Sequence, residues 1–196
     1  MTITTELLRG QAIRPHLADV AGLRIAIFRE YPYLYRGAPD YEQRYLSVYA
    51  DSPDALAILA RDGGALAGAV TAIPLRDEAE ALAAPVRAAL GSLDAVYYVG
   101  ELLFLPPYRG LGLGSELLAR VEEQAGAMGR FAHLTCATVI RPDDHPERPD
   151  GFIPIDRFLA RAGFKRMDGV VAAFDWPELD GVSVPHGMQY WIKPLV

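Results

Sequence analysis

With 196 residues and a 51% hydrophobic composition, the chain has material for one substantial core. Its formal net charge of −6 gives no electrostatic footing for nucleic acid, and its single cysteine, Cys136, excludes an internal disulfide and fits a reducing compartment. The opening Met-Thr-Ile-Thr-Thr-Glu has no basic region leading into an apolar one, and no apolar run reaches the roughly 18 residues of a membrane span. The expectation is therefore one domain over residues 1–196, cytoplasmic, with neither membrane nor nucleic acid as a partner.

In chain order, the pattern predicts a first strand over residues 7–13. Pro15 then opens a helix whose residues Leu17, Val20, Ala21, Leu23, Ile27 and Phe28 face a core, and Pro32 limits its end. A tyrosine-rich segment, Tyr31 to Tyr35, leads to Asp40, placed to cap a short helix carrying Tyr41, Tyr45, Leu46 and Tyr49. These rings, Tyr33 among them, are either amphipathic packing between helices or one wall of a substrate pocket. Residues 55–61 and 66–73 are strands joined by Asp62-Gly63-Gly64, a strong hairpin signal. Residues 76–90 form one or two short helices around Pro85, serving as a lid or as a packing surface.

Residues 95–105 read as a central strand covered on both faces, broken only by Glu101. Pro106-Pro107 end it. Next come Arg109-Gly110-Leu111-Gly112-Leu113-Gly114-Ser115 and then apolar residues at Leu117, Leu118, Val121, Ala125 and Met128, which is helical spacing. Gly126 and Gly129 mark that helix's end. A buried strand over residues 131–140 carries His133 and Cys136, and residues 141–154 are a loop rich in Pro and Asp. A helix over residues 155–162 stops at Gly163, and strands follow from Phe164 through Phe174 and over residues 189–195.

The strand, Gly-rich turn and helix from Glu101 to Met128 make a phosphate cradle. The first turn of a helix presents backbone N–H groups without intrahelical partners, at the positive end of the dipole. Glycine lets an anion approach that backbone closely. A Walker loop is excluded because no lysine is present, and the dinucleotide fingerprint fails by register, its third glycine falling at Ser115. A nucleotide-dependent oxidoreductase is disfavoured for the same reason.

What fits is Arg109-x-x-Gly112-x-Gly114, which resembles the Arg/Gln-x-x-Gly-x-Gly/Ala signature of the GNAT superfamily of N-acetyltransferases. Phe104-Leu105-Pro106-Pro107-Tyr108 stands for the strand end preceding it, and Phe158-Leu159-Ala160-Arg161-Ala162-Gly163-Phe164 resembles the family's Leu-Tyr-x-x-x-Gly-Phe. The resemblance implies an α+β fold with a mixed central sheet flanked by helices. It implies acetyl-CoA as co-substrate, with its pyrophosphate on Arg109, Gly110, Leu111, Gly112, Leu113, Gly114 and Ser115. It also implies an oxyanion donor among the backbone N–H groups of Leu102, Leu103 and Phe104, where two strands splay apart. The segment joining the first two helices, with Tyr33, would line the acceptor site. One departure stands out: Leu159 takes the place where many members carry a tyrosine that protonates the departing thiolate. The Arg-Pro-x-Asp-His-Pro loop also looks like one found in an uncharacterised subgroup, which implies no substrate.

The chemistry asks for a base. A lysine-like ammonium has a pKa near ~10.4, so freeing the nucleophile at pH 7 costs roughly 4–5 kcal/mol. Glu101, an acid in an apolar strand beside the cradle, is the candidate, with structural ion pairing as the competing reading. Its odd offset from Tyr98, where many members carry a strand carboxylate, turns it to the opposite face unless a bulge intervenes. His133 reads as structural and Cys136 as inert packing rather than an acyl carrier. Asp143, Asp144, His145 and Glu147 match no closed zinc pattern, so no metal is expected. Arg141, Asp144 and His145 are instead candidates for bordering the acceptor pocket. The expected activity is acetyl transfer from acetyl-CoA by direct attack of an amine, a small molecule being favoured over a protein. An acyl-CoA-binding module without turnover is the alternative, and a homodimer is left open.

Overall fold

The computed structural model describes residues 2–195. Seven strands form one sheet: β1 Ile3–Arg9, β2 Leu56–Asp62, β3 Ala65–Pro74, β4 Val96–Phe104, β5 His133–Val139, β6 Lys165–Pro177 and β7 Ser183–Pro194. Their spatial order is β1-β2-β3-β4-β5-β7-β6, and every pairing is antiparallel except β4 with β5. The helices are α1 Leu17–Phe28, α2 Pro39–Asp51, α3 Glu80–Leu90, α4 Leu113–Ala127 and α5 Asp156–Arg161. This is the mixed sheet with flanking helices that the sequence leads one to expect.

The sheet carries a core on each face. On one, Val20, Leu46, Tyr49, Leu82, Val86, Tyr98, Leu103 and Tyr190 pack together from α1, α2, α3 and the strands beneath them. On the other, Leu117 and Val121 of α4 and Leu159 of α5 pack over Ile58, Val70, Tyr97, Val99 and Phe104. No helix among the described residues is long and apolar enough to cross a membrane.

Four boundaries depart from the sequence reading. The first strand ends at Arg9, because Gly10, at φ 46°, turns the chain into a 3₁₀ segment, Gly10–His16, that contains Pro15. Its early residues look too polar for a strand because β1 lies at the sheet edge with one side wet. Asp40 does not cap α2; the helix begins at Pro39, a residue suited to a first helical position, with no side-chain cap. Pro85 does not split α3, although it removes one backbone bond. The last strand starts at Ser183 rather than Gln189, because its pairing with β6 carries it through Pro185 and Gly187.

The segment before the central strand is a packing surface rather than a lid. Leu82, Ala83 and Val86 of α3 are buried, and the Tyr190 hydroxyl donates to the Leu82 carbonyl.

One irregularity decides where Glu101 points. Thr71 of β3 faces Glu101, but its neighbour Ala72 faces Val99, so Gly100 is an extra residue in β4. This β-bulge returns Glu101 to the face of Tyr98 and Leu103, the side that α1 and α2 cover.

Candidate active site

β4 and β5 pair only from Val96 to Tyr98 against His133 to Thr135. Beyond that the strands diverge, and their facing edges open a cleft of about 680 Å³. Residues 99–104 of β4 line one wall and 136–139 of β5 the other. The cleft runs past Arg109, Gly110, Gly112, Gly114 and Ser115 at the start of α4.

That helix start is open. Gly112 stands at its N-cap with φ 85° and no side-chain cap, while Gly110 has φ 74°. The first intrahelical bond runs from the Glu116 amide back to the Gly112 carbonyl, which leaves the amides of Leu113, Gly114 and Ser115 without helical partners. Arg109 anchors the turn: its Nε donates to the Phe104 carbonyl at 2.8 Å and its Nη1 reaches Glu30 Oε2 at 2.7 Å. Unengaged amides, a left-handed glycine and an adjoining cleft fit a diphosphate held by main chain. Leu111 is exposed and Leu113 is buried in the core, so neither side chain lines the cleft.

A second cavity of about 370 Å³ adjoins the first. Phe28, Tyr33, Gly100, Glu101 and Ala137 line both. Six more aromatic rings join the wall: Tyr35, Tyr41 and Tyr45 from the α1–α2 region, Tyr98 from β4, and Phe174 and Trp176 from β6.

At the junction sits a buried ion cluster. Arg24 of α1 donates to Glu42 of α2 and to Oε1 of Glu101. Its guanidinium lies between the rings of Phe28, 4.8 Å away, and Tyr45, 4.5 Å away. Glu42 and Glu101 are almost wholly buried, and Oε2 of Glu101 has no hydrogen-bond partner among the described residues. Burial pushes the Glu101 carboxyl up from its usual value to about 7, against the pull of Arg24 and with the help of the nearby carboxylates Glu42 and Glu78. A carboxyl so placed is half ionised near neutral pH, the range in which a general base works best. The Tyr33 hydroxyl is held protonated by burial and by the charge of Glu101. Burial likewise holds the Cys136 thiol protonated, which makes it a poor nucleophile.

Arg141, Asp144 and His145 line neither cavity. Arg141 instead braces the wall from behind: its guanidinium donates to the carbonyls of Pro32 and Tyr33 at 2.6 and 2.8 Å and pairs with Glu178 at 2.6 Å. Asp144 is exposed, and the His145 Nδ1 accepts from the Glu147 amide within its own loop. The loop meets the cleft further on, through Phe152, Ile153, Pro154 and Ile155. His133 lines neither cavity. Leu159 lines the larger cleft as a core residue of α5.

Arg24 and Glu42 were not singled out in the sequence, although a signal existed. Arg24 shares a helical stripe with Val20, Ile27 and Phe28, and Glu42 shares one with Tyr45, Leu46 and Tyr49. A charge on a core-facing stripe needs a buried partner.

The family model described as "Acetyltransferase (GNAT) family" matches residues 23–146. Solved structures give the same overall likeness. An aminoglycoside acetyltransferase, AAC(6')-Ib in complex with coenzyme A, superposes with a TM-score of 0.59 at 15% identity, covering 98% of this chain and 95% of its own. IAA acetyltransferase from Bacillus cereus gives 0.58 at 12% identity, over 99% and 100%. An acetyltransferase from Thermus thermophilus gives 0.58 at 17% identity, over 100% and 98%. At these identities the likeness is one of fold. No curated protein matches this chain in sequence.

Proposed function

Because the chain belongs to the GNAT acetyltransferase family, we propose that it is an acetyl-CoA-dependent N-acetyltransferase that joins donor and acceptor directly in one ternary complex. The observation that carries this reading is the junction. A cleft that begins at an open helix N-terminus meets an aromatic pocket at Glu101, through the gap where β4 and β5 part. Structural neighbours bound to coenzyme A, one of them to acetyl-CoA together with paromomycin, support a CoA-type donor and a small amine acceptor.

Acetyl-CoA would supply the thioester carbonyl. The group that would hold it is the main chain from Gly110 to Ser115, the amides of Leu113, Gly114 and Ser115 included, with Arg109 fixing the turn. Backbone N–H groups among Leu102, Leu103 and Phe104 on the parted edge of β4 would face the charge that develops on the carbonyl oxygen. Glu101 would take the proton released by the attacking amine, directly or through one water. The carbon–nitrogen bond forms as the carbon–sulfur bond breaks, and the sulfur leaves as thiolate. With Leu159 where a tyrosine would donate, that thiolate leaves unassisted or takes its proton from solvent. The lone, buried Cys136 is compatible with the cytoplasm, where we place the reaction.

The test is release of CoA thiol from acetyl-CoA in the presence of an amine library, lost when Gly112 is replaced by a bulky residue. Failure of acetyl-CoA to raise the melting temperature would sink the proposal. Two observations favour a second reading, an acyl-CoA-binding module without turnover: Glu101 is already engaged by Arg24, and no acid stands at Leu159. That reading expects tight CoA binding and no transfer to any acceptor.

A further inference from the structure

The aromatic cavity restricts its own occupant, and the argument here rests on the acetyltransferase reading of the junction. Its deepest charged groups are not available for an anionic ligand. The Arg24 guanidinium is bonded to two carboxylates and covered by two rings. With both carboxylates ionised, that cluster carries one negative charge in excess. The partnerless Oε2 of Glu101 calls for a hydrogen-bond donor and offers none. At the mouth, exposed Arg36 and Asp175 contribute one charge of each sign. Much of the rest of the wall is aromatic, an environment that suits a cation and an apolar body alike, and Met188 and Leu82 also line it.

We propose that the acceptor is a primary amine carried on an aromatic or apolar body, an arylalkylamine, with its ammonium toward Glu101 and its ring against Tyr45, Tyr98 and Trp176. A volume of about 370 Å³ suits a molecule of that size. An amino acid would bring its carboxylate to a site with no free cation at its base, where Arg24 is already paired.

The experiment measures CoA thiol release with acetyl-CoA and four acceptors in parallel: phenethylamine, an aminoglycoside, a free amino acid and a lysine-containing peptide. Binding of phenethylamine and of acetyl-CoA is measured separately by calorimetry. Phenethylamine is expected to exceed the others in kcat/KM by about 10²-fold, the scale at which an apolar pocket rejects a ligand carrying an added polar group. Tyr41→Ala removes an exposed ring at the rim, so the fold is spared. It is expected to raise the phenethylamine KM several-fold while leaving acetyl-CoA affinity unchanged. Preference for any of the other three acceptors, or acetyl-CoA binding without phenethylamine binding, overturns the proposal and leaves the transferase reading standing. Phenethylamine binding without acetyl-CoA binding overturns the transferase reading, and the acceptor role with it, while the cavity's preference for the arylalkylamine remains.

Discussion

The hydroxyl of Tyr49 occupies the space that a side chain on Gly100 would need; a Cβ there would overlap it. Gly100 is also the bulge residue that turns Glu101 toward α1 and α2. Gly100→Ala must therefore push Tyr49 out of a fully packed core or flatten the bulge and re-aim Glu101. The expected cost is about 1–3 kcal/mol in urea denaturation. A fall in CoA release beyond what the lost folded fraction explains should accompany it. Unchanged stability and turnover would show that the bulge is not needed.

Glu101→Gln is expected to cut turnover on the order of 10²-fold. The wild-type rate should rise as pH passes through about 7, where the carboxyl ionises, and the variant should lack that limb. Stability moves the other way. The carboxyl is raised from 4.5 to about 7 in the folded chain, so the native state holds its proton more tightly than the unfolded one. Its contribution is complete below about 4.5 and is lost as pH rises through about 7. The stability of wild type relative to the Gln variant should therefore decline across that window. A pH–rate profile identical in both proteins removes Glu101 from the proton transfer.

Removal of Arg24 leaves Glu42 and Glu101 buried without their cation. Arg24→Met is expected to destabilise by about 3–5 kcal/mol, the range for breaking a buried pair from one side. The added Glu42→Gln change should recover part of that loss, since one of the two stranded charges is gone. Chemical denaturation of the single and double variants decides it, and strict additivity would mean the two residues do not act as a unit.

Two glycines in helical surroundings should respond in opposite ways. Gly112, at φ 85°, sits where a β-branched side chain is strained, so Gly112→Val is expected to cost about 1–2 kcal/mol and to abolish the thermal shift given by acetyl-CoA. Gly22 lies inside α1 with nothing near a built Cβ, so Gly22→Ala is expected to stabilise by about 0.5–1 kcal/mol and to leave that thermal shift intact.

Strand order and the α4 turn were legible because they rest on local signals: alternating or continuous apolar runs, Asp62-Gly63-Gly64, and the glycines after Pro107. The bulge at Gly100 was not, because nothing in Val99-Gly100-Glu101 alone distinguishes an extra residue from a regular one; it exists through pairing with Thr71 and Ala72. The ion cluster joins three elements far apart in sequence, so Arg24 and Glu42 look like ordinary surface charges until they are set on their helical stripes. Arg141 was read as a pocket residue because its loop leaves β5. The long side chain instead turns back to the carbonyls of Pro32 and Tyr33, a contact that no local pattern encodes.

The parting of β4 from β5 gives the molecule two doorways that meet mid-sheet. Were donor and acceptor to take one cavity each, neither reactant would need to wait for the other, and neither product would have to clear the other's exit. Initial-rate plots should intersect rather than run parallel, with no fixed order of arrival.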